Sequence, residues 1–448
     1  MTIFMSTISG FIFARARTGL ACALFVAPVC WADAGGYVLP TLPVPATSDA
    51  ARTSLPLLTL ADALAQAYQQ HPDLKVGRLA LAAQAGVSLQ SQARPNPELV
   101  WTQEDTRAAT RTQSVQINLP IETGGKRDAR MQLAERSAAV QQANLALSTV
   151  QVESEVASAF FATLATQAHL TLAEESRTLV RKSLEAIDRR VAAGKVSPVD
   201  GSKARIEAAS IEADWQRAHS EWRMARMELA RLIGRTDAEF AASADWSDTH
   251  ADVPSSEAFL SGLASAPALH AAQSEWQQRQ AQARLERTRA NPDLTVGVGM
   301  KRGGELQRNQ LLLSVSVPLP VFDRSQGNVL EAMRREDMAR EQVSQVEKRL
   351  RTDVARVRET LRQARAERIL YGRVVLPEAR KAWEAAQTGY TFGKFSLLDV
   401  LDGQRTYLMA QSRYLAAWQS EASALADMSK HIGWTAVMAV LNQQEQAQ

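Results

Sequence analysis

Four stretches of this chain alternate apolar and polar residues with a period of two. In 112–119, Val115, Ile117 and Leu119 share one side, while Ser114, Gln116 and Asn118 share the other. In 293–301, Leu294, Val296, Val298 and Met300 oppose Thr295, Gly297, Gly299 and Lys301. In 310–319, Leu311, Leu313, Val315, Val317 and Leu319 oppose Gln310, Leu312, Ser314 and Ser316. A weaker fourth stretch, 98–105, places Leu99 and Trp101 together. Period two predicts strands with one apolar face. Segments of about ten residues with this pattern match transmembrane barrel strands. They match half-buried strands of soluble proteins as well.

Elsewhere the apolar residues recur at three and four. Val180, Leu184, Ile187 and Val191 form one such stripe, and Val343, Val346, Leu350, Val354, Val357 and Leu361 another. These spacings suit left-handed pairing of long helices. The first long helix is predicted over roughly 126–192, about 100 Å at 1.5 Å per residue. No compact core accommodates such a rod, so it must lie along other helices.

The pattern occurs twice. Asn96-Pro97-Glu98-Leu99 recurs as Asn291-Pro292-Asp293-Leu294, Leu119-Pro120 as Leu319-Pro320, and Gly194-Lys195 as Gly393-Lys394. Asp200 pairs in the same way with Asp399, and Ile233-Gly234 with Ile432-Gly433. A long internal repeat decides architecture before any local prediction does. The expected fold class is mainly α with a small β part: duplicated long α-helical hairpins plus four β-strands per chain. The first repeat spans 57–234, with strands about 97–121 and long helices meeting at 193–200. A connecting segment covers 235–266. The second repeat spans 267–434, with strands about 293–320 and long helices meeting at 392–399, before a C-terminal tail, 435–448.

Ahead of the repeats, Arg15 and Arg17, the apolar run 19–29 and Ala32-Asp33-Ala34 read as a secretory signal, 1–34, with cleavage near Ala34. An apolar run of about 11 residues is too short for a bilayer that needs about 20. A Pro-rich arm, 35–56, follows. Both cysteines, Cys22 and Cys30, lie in the signal, so the mature chain is expected to hold no disulfide and no thiolate metal site. Lipidation at Cys30 is disfavoured, because Val29 precedes it where a small residue is usual. No later segment reads as a transmembrane helix, so a membrane crossing must use strands. Four strands cannot close a barrel with a lumen, and open edges are not tolerated in lipid. Chains must then pool strands through a heterologous, closing interface. Three chains supply twelve strands and two only eight; the pattern itself leaves trimer and tetramer open.

Composition adds little: a net charge of +3 implies no nucleic-acid partner. The six histidines (71, 169, 219, 250, 270 and 431) are scattered without helical ligand spacing. No phosphate loop or nucleophile motif is present, and no cofactor or catalytic residue is expected.

The runs His71-Pro72-Asp73-Leu74, Arg94-Pro95-Asn96-Pro97-Glu98-Leu99, Thr123-Gly124-Gly125-Lys126-Arg127, Phe392-Gly393 and 398–405 resemble the TolC-like outer-membrane efflux channel family across 57–433. The closest resemblance is to its cobalt, zinc and cadmium resistance branch. The resemblance implies a homotrimer with a shared twelve-stranded transmembrane barrel and a periplasmic α-barrel. Val115, Ile117, Leu294, Val296, Val298, Leu313, Val315 and Val317 would face outer-membrane lipid. The partners would be a periplasmic adaptor and an inner-membrane RND pump, and the cargo divalent heavy-metal cations. Drug export through the same architecture is the alternative. By resemblance, Tyr390, Asp200, Asp399 and Asp402 form the periplasmic gate. Arg190, Gly194 and Gly393 form the adaptor-docking tip. Where the family's best-known gate has an arginine, this chain has Phe395, so another contact must hold the gate. The aspartates could equally cap helix starts. A periplasmic adaptor would carry one hairpin only, and a secreted coiled-coil protein would not need paired strands.

Overall fold

The computed structural model describes residues 55–107, 109–243, 262–303, 308–434 and 437. The signal, both cysteines, nearly all of the Pro-rich arm, much of the connecting segment and most of the tail lie outside the described residues. A short strand β1 (Leu57–Leu58) precedes α1 (Leu60–Gln70) and α2 (Pro72–Gln92). Next come β2 (Glu98–Glu104), β3 (Thr112–Ile121), α3 (Lys126–Ala192) and α4 (Pro198–Leu232). After β4 (Ala241–Ala242), which pairs in parallel with β1, the order repeats: α5 (Pro267–Arg289), β5 (Leu294–Gly303), β6 (Asn309–Ser316) and α6 (Gln326–Leu370). A π-helical turn, Tyr371–Val375, joins α6 to α7 (Leu376–Thr391), and α8 (Leu397–Ile432) closes the second copy.

The long helix α3 has the bounds expected from the pattern, with 67 residues. Its counterpart differs. The second rod is interrupted by the π-helical turn beside Pro377, because proline has no amide proton to continue the α-ladder. The fourth strand ends at Ser316. Val317 and Leu319, expected on it, lie beyond its end, where Pro318 cannot donate to the ladder; both remain exposed. A window of α3 is long and apolar enough by composition to cross a membrane, contrary to the expectation of no such segment, and 44% of it is buried within the protein. Phe160 and Phe161 of that helix belong to the core, which accounts for so apolar a run within the packed protein.

The sheet order is β2-β3-β5-β6, antiparallel throughout, so the two hairpins meet at β3 and β5. The helices beneath follow the same order, with α2 on α3, α3 on α5 and α5 on α6. In the other half of the molecule α4 packs on α3, α3 on α8 and α8 on α7. The repeats are clamped at the base of the sheet. Asp293 Oδ1 accepts from the Thr123 amide at 3.0 Å and pairs with Lys126 Nζ at 2.8 Å. The Thr123 hydroxyl donates to the Pro292 carbonyl. The Asn-Pro-Asp run of one copy thus holds the Thr-Gly-Gly-Lys turn of the other.

The core lies midway, where both copies converge. Phe160, Phe161, Leu229, Ile233, Phe240, Val354, Leu361 and Trp418 are buried there. Phe161 meets Trp418 edge-on at 6.3 Å. Beside it the Glu421 carboxylate is buried between two guanidinium groups, with Arg365 Nε at 2.7 Å and Arg368 Nε at 2.6 Å. Charges this far from water persist only when paired and hydrogen-bonded. No periodicity in the sequence announces this triad.

Candidate functional site

The two helix-to-helix turns are built alike. At the first, Gly194 N–H donates to Val191 O (3.0 Å) and Lys195 N–H to Arg190 O (2.9 Å). At the second, Gly393 N–H donates to Tyr390 O (3.1 Å) and Lys394 N–H to Gly389 O (2.8 Å). This is the Schellman arrangement, which needs a left-handed residue at its pivot. Gly194 (φ 68°) and Gly393 (φ 73°) supply it. A serine then caps each following helix: Ser197 Oγ accepts from Val199 N–H, and Ser396 Oγ from Asp399 N–H.

The aspartates are not equivalent. Asp399 closes a capping box, its Oδ2 accepting from Ser396 N–H at 2.8 Å and from Ser396 Oγ at 2.7 Å. These hydrogen bonds, the side-chain one foremost, hold its carboxyl below the ordinary carboxylate value. Asp200 instead lies 3.8 Å from Lys203 Nζ. Asp402 is exposed on the first turns of α8. The capping expectation therefore describes Asp399, which still presents an exposed carboxylate.

Tyr390 and Asp200 are not hydrogen-bonded within the chain. The Tyr390 hydroxyl is buried and has no partner among the described residues. Its ring is covered by the Arg190 guanidinium, 4.9 Å from the ring centroid. This cation–π contact ties the first hairpin to the second, as does Arg405 on Glu207 at 3.3 Å. The expected docking arginine and the expected gate tyrosine are thus in contact with each other.

Phe395 has a seat that sequence reasoning missed. Gly389 occupies in the second copy the position Arg190 holds in the first, and the Phe395 ring lies directly on it. A Cβ at 389 would stand 2.6 Å from Phe395 Cε2 and nearer still to Cδ2. The absence of a side chain at 389 is what gives the Phe395 ring its place. The signal was present in the sequence as a glycine six residues before an aromatic, but only the Schellman turn brings the two together.

At the opposite end, the sheet sorts its faces by register. Trp101, Val115, Met300 and Leu311 form one cross-strand row, and Leu99, Ile117, Val298 and Leu313 the next. Leu119, Val296 and Val315 form a third. All of these side chains are exposed. Leu294, expected on the same face, is half-buried at the strand start. The other face carries Thr102, Ser114, Lys301 and Gln310 in one row, and Glu98, Asn118, Gly297 and Ser314 in another. There Gln116 Nε2 donates to Asn118 Oδ1 at 2.6 Å and to Ser314 Oγ, and Lys301 pairs with Glu104 at 3.3 Å. An exposed apolar face backed by a hydrogen-bonded polar face suits a wall between lipid and water. Among the described residues, no three His, Cys, Asp or Glu side chains converge as metal ligands.

Comparison with known proteins follows this geometry. The family model described as outer membrane efflux protein matches residues 63–235 and again 261–433, once in each repeat. The chain is 37% identical over 418 residues to the cobalt-zinc-cadmium resistance protein CzcC of Cupriavidus metallidurans, covering 93% of this chain and 98% of that one. Among solved structures it superposes on CusC with a TM-score of 0.70 at 18% identity, covering 90% of this chain and 98% of CusC. It superposes on the outer membrane protein VceC of Vibrio cholerae with a TM-score of 0.69 at 17% identity, covering 84% and 96%. At such identities the structural likeness speaks for the fold.

Proposed function

Because this chain belongs to the outer membrane efflux protein family, we propose that it is the outer-membrane channel of a tripartite exporter of divalent heavy-metal cations. The observation that carries the metal assignment is the likeness to CzcC over nearly the whole of both chains. Three copies pool twelve strands into one barrel, joining the unpaired edges β2 and β6 of neighbours, and the helices continue the conduit into the periplasm. A periplasmic adaptor and an RND pump complete the path, and the pump supplies the energy. The channel performs no covalent chemistry. It offers a route, and its charges bias what enters.

At the hairpin tips, Asp399, Asp402 and Asp200 from three chains form an acidic ring that concentrates cations at the entrance. Tyr390, held by Arg190, and Phe395, seated on Gly389, hold the second hairpin inward in place of a polar latch. Arg190, Gly194 and Gly393 shape the tip that meets the adaptor.

Deletion of the gene should lower tolerance to zinc, cobalt or cadmium, with restoration by the wild-type copy. Unchanged metal tolerance with lost drug tolerance would transfer the assignment to drug export. In planar bilayers, Asp399→Ala with Asp402→Ala should weaken block of single-channel current by multivalent cations. An unaltered block removes the ring from the mechanism.

A further inference from the structure

The segment between β6 and α6 holds a protruding aromatic. Phe322 is 92% exposed, with Val321 and Leu319 exposed beside it. Its neighbour Arg324 is anchored, its side-chain Nε donating to the Pro320 carbonyl at 3.2 Å, so the segment is held in part by its own side-chain-to-backbone contact. Exposed large apolar side chains are common singly, but a contiguous group marks an interaction surface.

On the other edge of the molecule, α2 and α3 leave an open groove of about 790 Å³. Its walls include Ala83, Gly86, Val87, Leu133, Ala134 and Ser137. Gly86 is the informative member. It lies in the interior of α2, where glycine is destabilising relative to alanine, yet a Cβ built on it meets nothing within 4 Å. By contrast, a Cβ at Gly77 on the same helix would meet Leu145 at 2.9 Å. Among the described residues, nothing calls for the missing side chain at 86.

Strand direction brings the two features together. Glu98, where β2 begins, pairs with Asn118, which pairs with Gly297, which pairs with Ser314 near the end of β6. The groove just before β2 and Phe322 just after β6 therefore hang from the same end of the sheet, at its two opposite edges. Since β6 runs opposite to β2, a second copy adding its β2 to this β6 would continue the antiparallel alternation. That addition sets the second copy's groove beside Phe322.

We propose that Phe322 of each chain seats over Gly86 in the α2–α3 groove of the next copy, locking the ring just below the barrel. The inference rests on the reading of the chain as a closed ring of copies. It names the contact that fixes the stagger between neighbours, since β6 and β2 edges alone could pair in several registers.

The test is a Phe322→Cys, Gly86→Cys double variant in the full chain, treated with a short bismaleimide in isolated outer membranes. Denaturing gels should then show covalent dimers and trimers of the chain, absent from either single variant. The chain's own cysteines are confined to Cys22 and Cys30, and the single variants control for them. A detergent-extracted trimer that yields no covalent oligomer overturns the knob and leaves the channel reading intact. A monomer in mild detergent defeats the channel reading and the knob with it. If a lipid-soluble quencher reaches a fluorophore on the single Phe322→Cys variant in the assembled trimer, the ring faces lipid and the knob is likewise overturned. Gly86→Trp supplies the second readout: a filled groove should lower the temperature at which the trimer dissociates, and Gly86→Ala, whose single Cβ meets the seated ring, should lower it by less.

Discussion

Gly389→Ala is the most informative single change at the tip, because two opposing terms can be read from one contact. Alanine in a helix interior is favoured over glycine by about 1 kcal/mol. Gly389 has ordinary helical φ and is buried on the last turn of α7. Against this gain, the new Cβ overlaps the Phe395 ring, and overpacking costs about 1–3 kcal/mol. The ring is half exposed and can swing away, which places the cost near the lower bound. The expected net effect on stability is therefore between about 0 and 2 kcal/mol per chain. Losing the ring alone, by Phe395→Ala, forfeits the burial of half a phenylalanine, about 1 kcal/mol. In that background Gly389→Ala meets no obstacle and should stabilise. The double-mutant cycle thus predicts a coupling of about 1–3 kcal/mol between the two sites. Unfolding of the four variants in detergent, followed by helical circular dichroism, measures it. Single-channel recording should show more open time for both single variants if the seat holds the hairpin inward. The same effect of Gly389→Ala with and without the ring, within about 0.5 kcal/mol, would refute the seat.

Glu421→Ala leaves two buried guanidinium groups facing each other and should cost about 3–5 kcal/mol; Glu347→Ala, which breaks an exposed pair with Arg351, should cost at most about 1 kcal/mol. Equal melting temperatures for the two variants would contradict the triad's role. The folded Asp399 carboxyl titrates below its unfolded value, so its contribution to stability is present above that value and is lost as pH falls through the depressed folded one. Ser396→Ala should raise the Asp399 titration point in carboxyl-labelled NMR, and an unmoved titration would discard the capping box as its cause. Val298→Arg, on the exposed apolar face, should cost about 2–4 kcal/mol near mid-bilayer and impair barrel assembly. Ser114→Arg, on the polar face, should assemble and alter conductance instead; the reverse pattern would invert the assignment of the faces.

Much of the architecture was legible because its signals are local and periodic. The run of residues from Lys126 to Ala192 contains no proline or glycine to interrupt it, and alternation in 112–119 admits only one sorting of side chains onto two faces. The duplicated Gly-Lys turns could be placed because glycine is the residue that the left-handed pivot requires. The second rod was harder: Pro377 stood in plain view, but whether a proline kinks, ends or is absorbed depends on what the neighbouring turn can do, and here a π-helical turn absorbs it.

What the amino-acid order determined by itself, then, is the menu of elements, their twofold repetition and which residues share a face. Each is set by bonds and sterics within a few residues. Only the tertiary structure decided which distant groups meet: Asp293 with Lys126, Glu421 between Arg365 and Arg368, and Arg190 over Tyr390. Such contacts depend on where rods many turns long place their side chains in space. A small change in pitch or crossing accumulates along the rod, so only the packed whole determines them.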